Sequence, residues 1–119
     1  MYDGMKKAGP DLITLIERSR QLQGVRRADL HTGDLVLVST RNSVYALRVL
    51  DQATYLVSGG WFDRQGLAPQ RTTVTGCTWG GCILKSDVVA VCGMCLEFGN
   101  RVVTSTIQKV CVFRHGMLN

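Results

Sequence analysis

The chain carries two hydrophobic textures in succession. Leu12, Leu15, Ile16, Ser19 and Leu22 recur at helical spacing, while Glu17, Arg18 and Gln21 fall outside that stripe. Asp11 follows Pro10 and can accept hydrogen bonds from the free amides of a first turn, and Gly24 offers a left-handed stop. The spacing predicts one amphipathic helix over 11–23, preceded by a loose arm over 1–10. A helix this short is marginal alone and must lie on something apolar.

After Gly33-Asp34 the texture changes: from Leu35 onward 23 of 85 residues are Val, Thr or Ile, whose branched Cβ atoms favour strands. Strands are predicted near Leu35–Thr40, Val44–Asp51, Thr54–Ser58, Arg71–Thr75, Cys82–Lys85, Val88–Val91, Cys95–Phe98 and Arg101–Phe113. Arg41-Asn42-Ser43, Gly59-Gly60 and Gly99-Asn100 read as turns; the last suits a tight hairpin because glycine and asparagine tolerate positive φ. The segment from Trp61 to Pro69 reads as the longest loop. The expected fold is mainly β, bordering on α+β: a curled antiparallel sheet or small β-barrel with one N-terminal helix, forming a single domain over 11–119.

The first of these strands is apolar on both faces, with Leu35 and Leu37 on one and Val36 and Val38 on the other. Such a strand needs cover on both sides. A barrel interior can provide one cover, and the helix or a second copy of the chain the other, so a homodimer is an expectation.

Composition narrows the functional classes. With 19% charged residues and 13 glycines, the chain suits short strands and tight turns rather than disorder. The net charge of +5 is compatible with a polyanionic partner, but the basic residues are dispersed. No aromatic-rich basic strand of the kind that stacks bases is present, so nucleic acid is not the favoured partner. The N-terminus lacks a basic-then-apolar leader and no apolar run approaches ~20 residues. A cytoplasmic location without membrane association is therefore expected, with the five cysteines as thiols or metal ligands.

Two constellations could carry chemistry. Cys77 and Cys82 are separated by four residues, and Cys92 and Cys95 by two. Four thiolates on two turns can meet zinc's tetrahedral demand, with Cys111 left as a bystander. The competing reading makes these cysteines small, inert core residues. The second constellation is a pair of Trp-Gly segments around Trp61 and Trp79. Facing each other, they would line a pocket with Trp61, Asp63, Arg64, Cys77 and Trp79. The competing reading uses the glycines for bulges and the tryptophans as core plugs.

Catalytic resources are sparse. Glu17 and Glu97 are the only glutamates, His31 and His115 the only histidines, and no phosphate-binding or dinucleotide glycine pattern occurs. The sequence therefore favours a non-catalytic binding or interaction module. The alternatives are a zinc-binding protein using Cys77, Cys82, Cys92 and Cys95, or a small enzyme dependent on Cys77.

The stretches VSGGWFDRQGLAP (57–69), GCTWGGCILKSD (76–87) and LEFGN (96–100) resemble a group of small, uncharacterised bacterial β-rich proteins, over roughly residues 12–114. The resemblance implies a stand-alone bacterial domain and brings no activity, cofactor or site residue with it.

Overall fold

Along Val44–Val49, Thr54–Gly59 and Cys95–Phe98 buried residues alternate with half-buried ones, which decides the way each side chain faces. The computed structural model describes residues 22–79 and 83–115. In chain order these form β1 (Gly24–Arg26), a 3-10 turn (Arg27–Asp29), β2 (Leu35–Thr40), β3 (Val44–Val49), β4 (Thr54–Gly59) and the short helix α1 (Gly60–Arg64). Then follow β5 (Gln70–Trp79), β6 (Ile83–Lys85), β7 (Val88–Val91), β8 (Cys95–Phe98) and β9 (Val103–Phe113). The predicted arm and all but the last two residues of the predicted helix lie outside the described residues.

The main sheet runs β4-β3-β2-β9-β8-β5-β6, and a further pairing of β4 with β5 closes it. The result is a six-stranded antiparallel barrel of β2, β3, β4, β5, β8 and β9. Closure gives these strands partners on both sides, which removes the open edges that invite aggregation. β1 and β7 form a separate two-stranded ribbon. Among the described residues no helix is long and apolar enough to cross a membrane.

Bulges supply the curvature. Register shifts occur at Ser39/Thr40, Val74/Gly76 and Cys95/Glu97, and an extra residue in one strand sharpens the local twist. At the second of these, Gly76 has φ 145°, and a Cβ there would collide with the carbonyl oxygen of Lys85. Glycine thus lets β5 turn from its pairing with β4 to its pairings with β6 and β8.

The interior is filled. Val36, Val38, Leu47, Val57, Leu96, Phe98 and Val110 point inward from successive strands and are fully buried. Small barrels of this kind are cores rather than pores. One end is plugged by α1, part of the segment expected to be a loop. Phe62 makes edge-on contacts with Tyr45, Trp61 and Phe98 at centroid distances of 6.3, 5.2 and 4.9 Å. The Asp63 carboxylate accepts the amide of Gly59 at 2.9 Å, which closes the helical turn and aims Phe62 into the barrel.

Two turn expectations change. Gly24 does not end a helix: Leu22 is already bridged to Val110 and Gly24 begins β1. A Cβ on Gly24 would lie 2.9 Å from the Ala90 carbonyl oxygen, so close strand packing selects glycine there. In the β8–β9 hairpin the positive φ belongs to Arg101, at 71°. Gly99 is needed instead because a Cβ there would strike the Thr73 side chain.

Candidate functional site

Where β1 ends, the chain turns over one side of the barrel and leaves a cleft of about 360 Å³. Arg26, Arg27, Ala28, Leu30, Gln52 and Asp87 line it. Its shape follows from the ribbon. Arg26 pairs with Val88, and the Arg27 amide then donates to the Asp87 carbonyl at 3.0 Å. That contact holds the 3-10 turn against the β6–β7 connection and directs the Arg27 side chain across it.

The Arg27 guanidinium is held almost entirely by backbone oxygens. Its Nε donates to the Ser86 carbonyl at 3.2 Å and its Nη2 to the same oxygen at 2.9 Å. Nη2 also donates to the Val74 carbonyl at 2.9 Å, and Nη1 reaches the Tyr55 hydroxyl at 3.5 Å. Burial pushes the Tyr55 phenol above its ordinary pKa, a rise that the Arg27 charge and hydrogen bond only partly offset. Tyr55 is therefore a neutral partner at neutral pH. Among the described residues Asp34 pairs with Arg114 and lies 3.9 Å from the His31 ring, so no described carboxylate pairs with Arg27. The arrangement is a rigid, half-buried cation with donor capacity left on Nη1, beside exposed Arg26 and an apolar floor of Ala28 and Leu30.

The residues expected to form a Trp-Gly pocket are distributed differently. Trp61, Asp63 and Arg64 sit together on α1. Trp61 is half-buried against Phe62 and its amide donates to the Tyr45 hydroxyl at 3.3 Å, while Arg64 reaches the Ser43 hydroxyl at 3.2 Å. Cys77 is fully buried inside the barrel, and Trp79 ends β5 with 66% of its surface exposed. Gln70, at the other end of β5, pairs with Val57 near α1. The two tryptophans are thus separated by about 30 Å of strand, at 3.3 Å per residue.

The cysteines also occupy distinct environments. Cys82 lies outside the described residues. Cys77 pairs with Leu96 and Cys95 with Thr78; alternation along β8 turns Leu96 inward and Cys95 outward. Cys92 directs its thiol to the carbonyls of Leu22 and Gln108 at 3.6 and 3.5 Å. Among the described residues no group of three or more His, Cys, Asp or Glu side chains is placed to hold a metal ion. Burial pushes the Cys77 thiol up to about 11, the reverse of what a nucleophilic cysteine requires.

Nothing in the sequence sets Arg26 and Arg27 apart from the other dispersed basic residues. Their significance depends on Ser86, Val74 and Tyr55, which are far away in the chain and leave no local signal. Comparison of the chain with family models, with curated proteins and with solved structures returned no match.

Proposed function

We propose that the protein is a non-catalytic binding module that takes an anionic group, carboxylate or phosphate, in the Arg26–Arg27 cleft. The observation that carries this reading is the Arg27 guanidinium, fixed by two carbonyls and a phenol and lacking a described carboxylate partner. An arginine positioned in advance loses little conformational freedom when it binds, and its planar fork suits both oxyanions. The overall charge of +5 favours the approach of anions. The filled barrel and the raised Cys77 thiol support binding on the outside over chemistry within.

The test is a titration of isotope-labelled full-length protein with inorganic phosphate and, separately, succinate, against chloride at matched ionic strength. Saturable shifts of the Arg26, Ala28, Gln52 and Asp87 amides are expected, together with the Arg27 Nε–H. Arg26→Ala, at an exposed position, should weaken the response without unfolding the chain. Whichever anion saturates at lower concentration identifies the preferred chemistry. Shifts that chloride reproduces, or that spread evenly over the surface without saturating, would overturn the reading.

A further inference from the structure

The Arg27 guanidinium shares its cleft with a carboxylate that it does not pair with. Its Nε and Nη2 are held on the Ser86 carbonyl, and Asp87 is the next residue in the chain. The Asp87 carbonyl accepts the Arg27 amide at 3.0 Å, and Val88 is in register with Arg26. Backbone contacts on either side therefore fix Asp87 beside Arg27, and both residues line the cleft. Yet no described carboxylate pairs with Arg27, so the two charged groups stand apart. Opposite charges held on one cleft without closing on each other are matched by a molecule that carries both.

We propose that the ligand of this cleft is a zwitterion, an α-amino acid with an apolar side chain, an assignment that rests on the anion-binding reading of the same site. Its carboxylate takes the donor capacity left on Arg27 Nη1, and its ammonium faces the Asp87 carboxylate. Its side chain lies on Ala28 and Leu30, the apolar floor. Gln52, whose amide both donates and accepts, lines the same cleft. A bare anion is repelled by Asp87, and a bare cation by Arg26 and Arg27. A ligand with both signs avoids each cost, so the cleft selects against simple ions as well as for the zwitterion. The volume of about 360 Å³ lies at the small end of the ligand-site range, roughly 300–1,000 Å³, and suits a molecule of this size.

The test is a titration of isotope-labelled full-length protein with L-leucine, N-acetyl-L-leucine, L-leucinamide and glycine at matched ionic strength. The Ala28 and Asp87 amides and the Arg27 Nε–H report binding. L-Leucine should saturate with a Kd about tenfold or more below those of N-acetyl-L-leucine, which lacks the ammonium, and L-leucinamide, which lacks the carboxylate. Glycine, with no side chain for the apolar floor, should bind about threefold or more weakly than leucine. Asp87 is exposed and makes its contact to Arg27 through the main chain, so Asp87→Asn should fold and should abolish leucine's advantage over N-acetyl-L-leucine. An advantage that survives in Asp87→Asn would overturn the proposal, as would glycine binding as tightly as leucine. N-Acetyl-L-leucine matching leucine would overturn the zwitterion and leave the anion site standing. So would saturation by phosphate or succinate with none by leucine. Failure of phosphate, succinate and all four probes to saturate would remove both readings.

Discussion

Asp34 and Arg114 meet at 2.8 Å where the chain enters β2 and leaves β9. The Asp34 side chain is only 4% exposed. Its Oδ2 also accepts the His31 amide at 2.9 Å and its Oδ1 the His115 amide at 3.1 Å. Arg114 additionally donates to the Asp29 carbonyl at 2.8 Å. One carboxylate thus ties the turn before the barrel's first strand to the tail after its last. Gly33 allows the approach: its φ is 94°, and a Cβ there would lie 2.7 Å from the His115 ring.

Asp34→Ala should destabilise the fold by about 1–3 kcal/mol, the cost of removing an ionised acceptor of several buried bonds. Burial by itself raises the Asp34 pKa. The His31 and His115 amides and the Arg114 hydrogen bond and charge outweigh it, leaving the carboxyl below its ordinary 3.8. A carboxylate lowered in the folded state binds its proton more readily when unfolded. Its contribution is therefore complete above about pH 3.8 and is lost as pH falls through the lower folded value. Urea midpoints measured from pH 6 down to pH 2.5 should fall more steeply for the native chain than for Asp34→Asn; parallel profiles would refute the assignment.

Cys77 has the opposite linkage. Burial raises its thiol from 9.0 to about 11, so the folded state keeps its proton after the unfolded state has released it. The associated stability is intact below pH 9 and declines as pH rises through about 11. Cys77→Ala should flatten that part of the pH–stability curve. At neutral pH, labelling of Cys77 by N-ethylmaleimide should proceed only through opening of the barrel and accelerate with denaturant in step with unfolding. Rapid labelling under native conditions would reopen the question of a reactive thiol.

How far these features could be read from sequence depends on the range over which they are specified. Runs rich in Val, Thr and Ile located most of the barrel strands, and the unbroken apolar run Leu35–Val38 marked β2 as apolar on both faces, because both signals are local. Phe62 was hidden in a predicted loop, since a five-residue helix that plugs a barrel has too few turns to show a period. The turn at Gly99 was visible but its reason was not: the glycine answers to Thr73 across the sheet, while the positive φ falls on Arg101. The cysteine spacings suggested convergence, yet one residue of register separates an inward Cys77 from an outward Cys95. Arg27 shows the same limit, because every oxygen that holds its guanidinium arrives through tertiary pairing.

Gly59 occupies a backbone position with little room for change. It has φ 96° and ψ 173°, a region essentially reserved for glycine, and a Cβ there would meet the Val44 carbonyl oxygen. Gly59→Ala should cost at least about 1–3 kcal/mol from backbone strain alone, with the clash against β3 added. Thermal unfolding of this variant beside Gly66→Ala separates the two effects. Gly66 also has a positive φ, 70°, but has open space around it, so its substitution should cost less. Equal losses would show that the Val44 contact relaxes freely.

The two tryptophans should behave as different kinds of residue, although their sequence surroundings are alike. Trp61 packs on Phe62, which is fully buried among Tyr45 and Phe98. Phe62→Ala should cost about 3–5 kcal/mol, the range for emptying a buried aromatic site. Trp61→Ala should cost less, because half-burial leaves less apolar area to lose. Trp79 stands mostly in solvent at the far end of β5, and surface truncations of this kind stay within about 0.5 kcal/mol. Denaturant unfolding of Trp61→Ala and Trp79→Ala, followed by circular dichroism, gives the comparison directly. A destabilised Trp61→Ala beside a neutral Trp79→Ala assigns Trp61 to the barrel plug and leaves Trp79 free of any structural duty. Equal destabilisation would mean that Trp79 contributes to the fold despite its exposure.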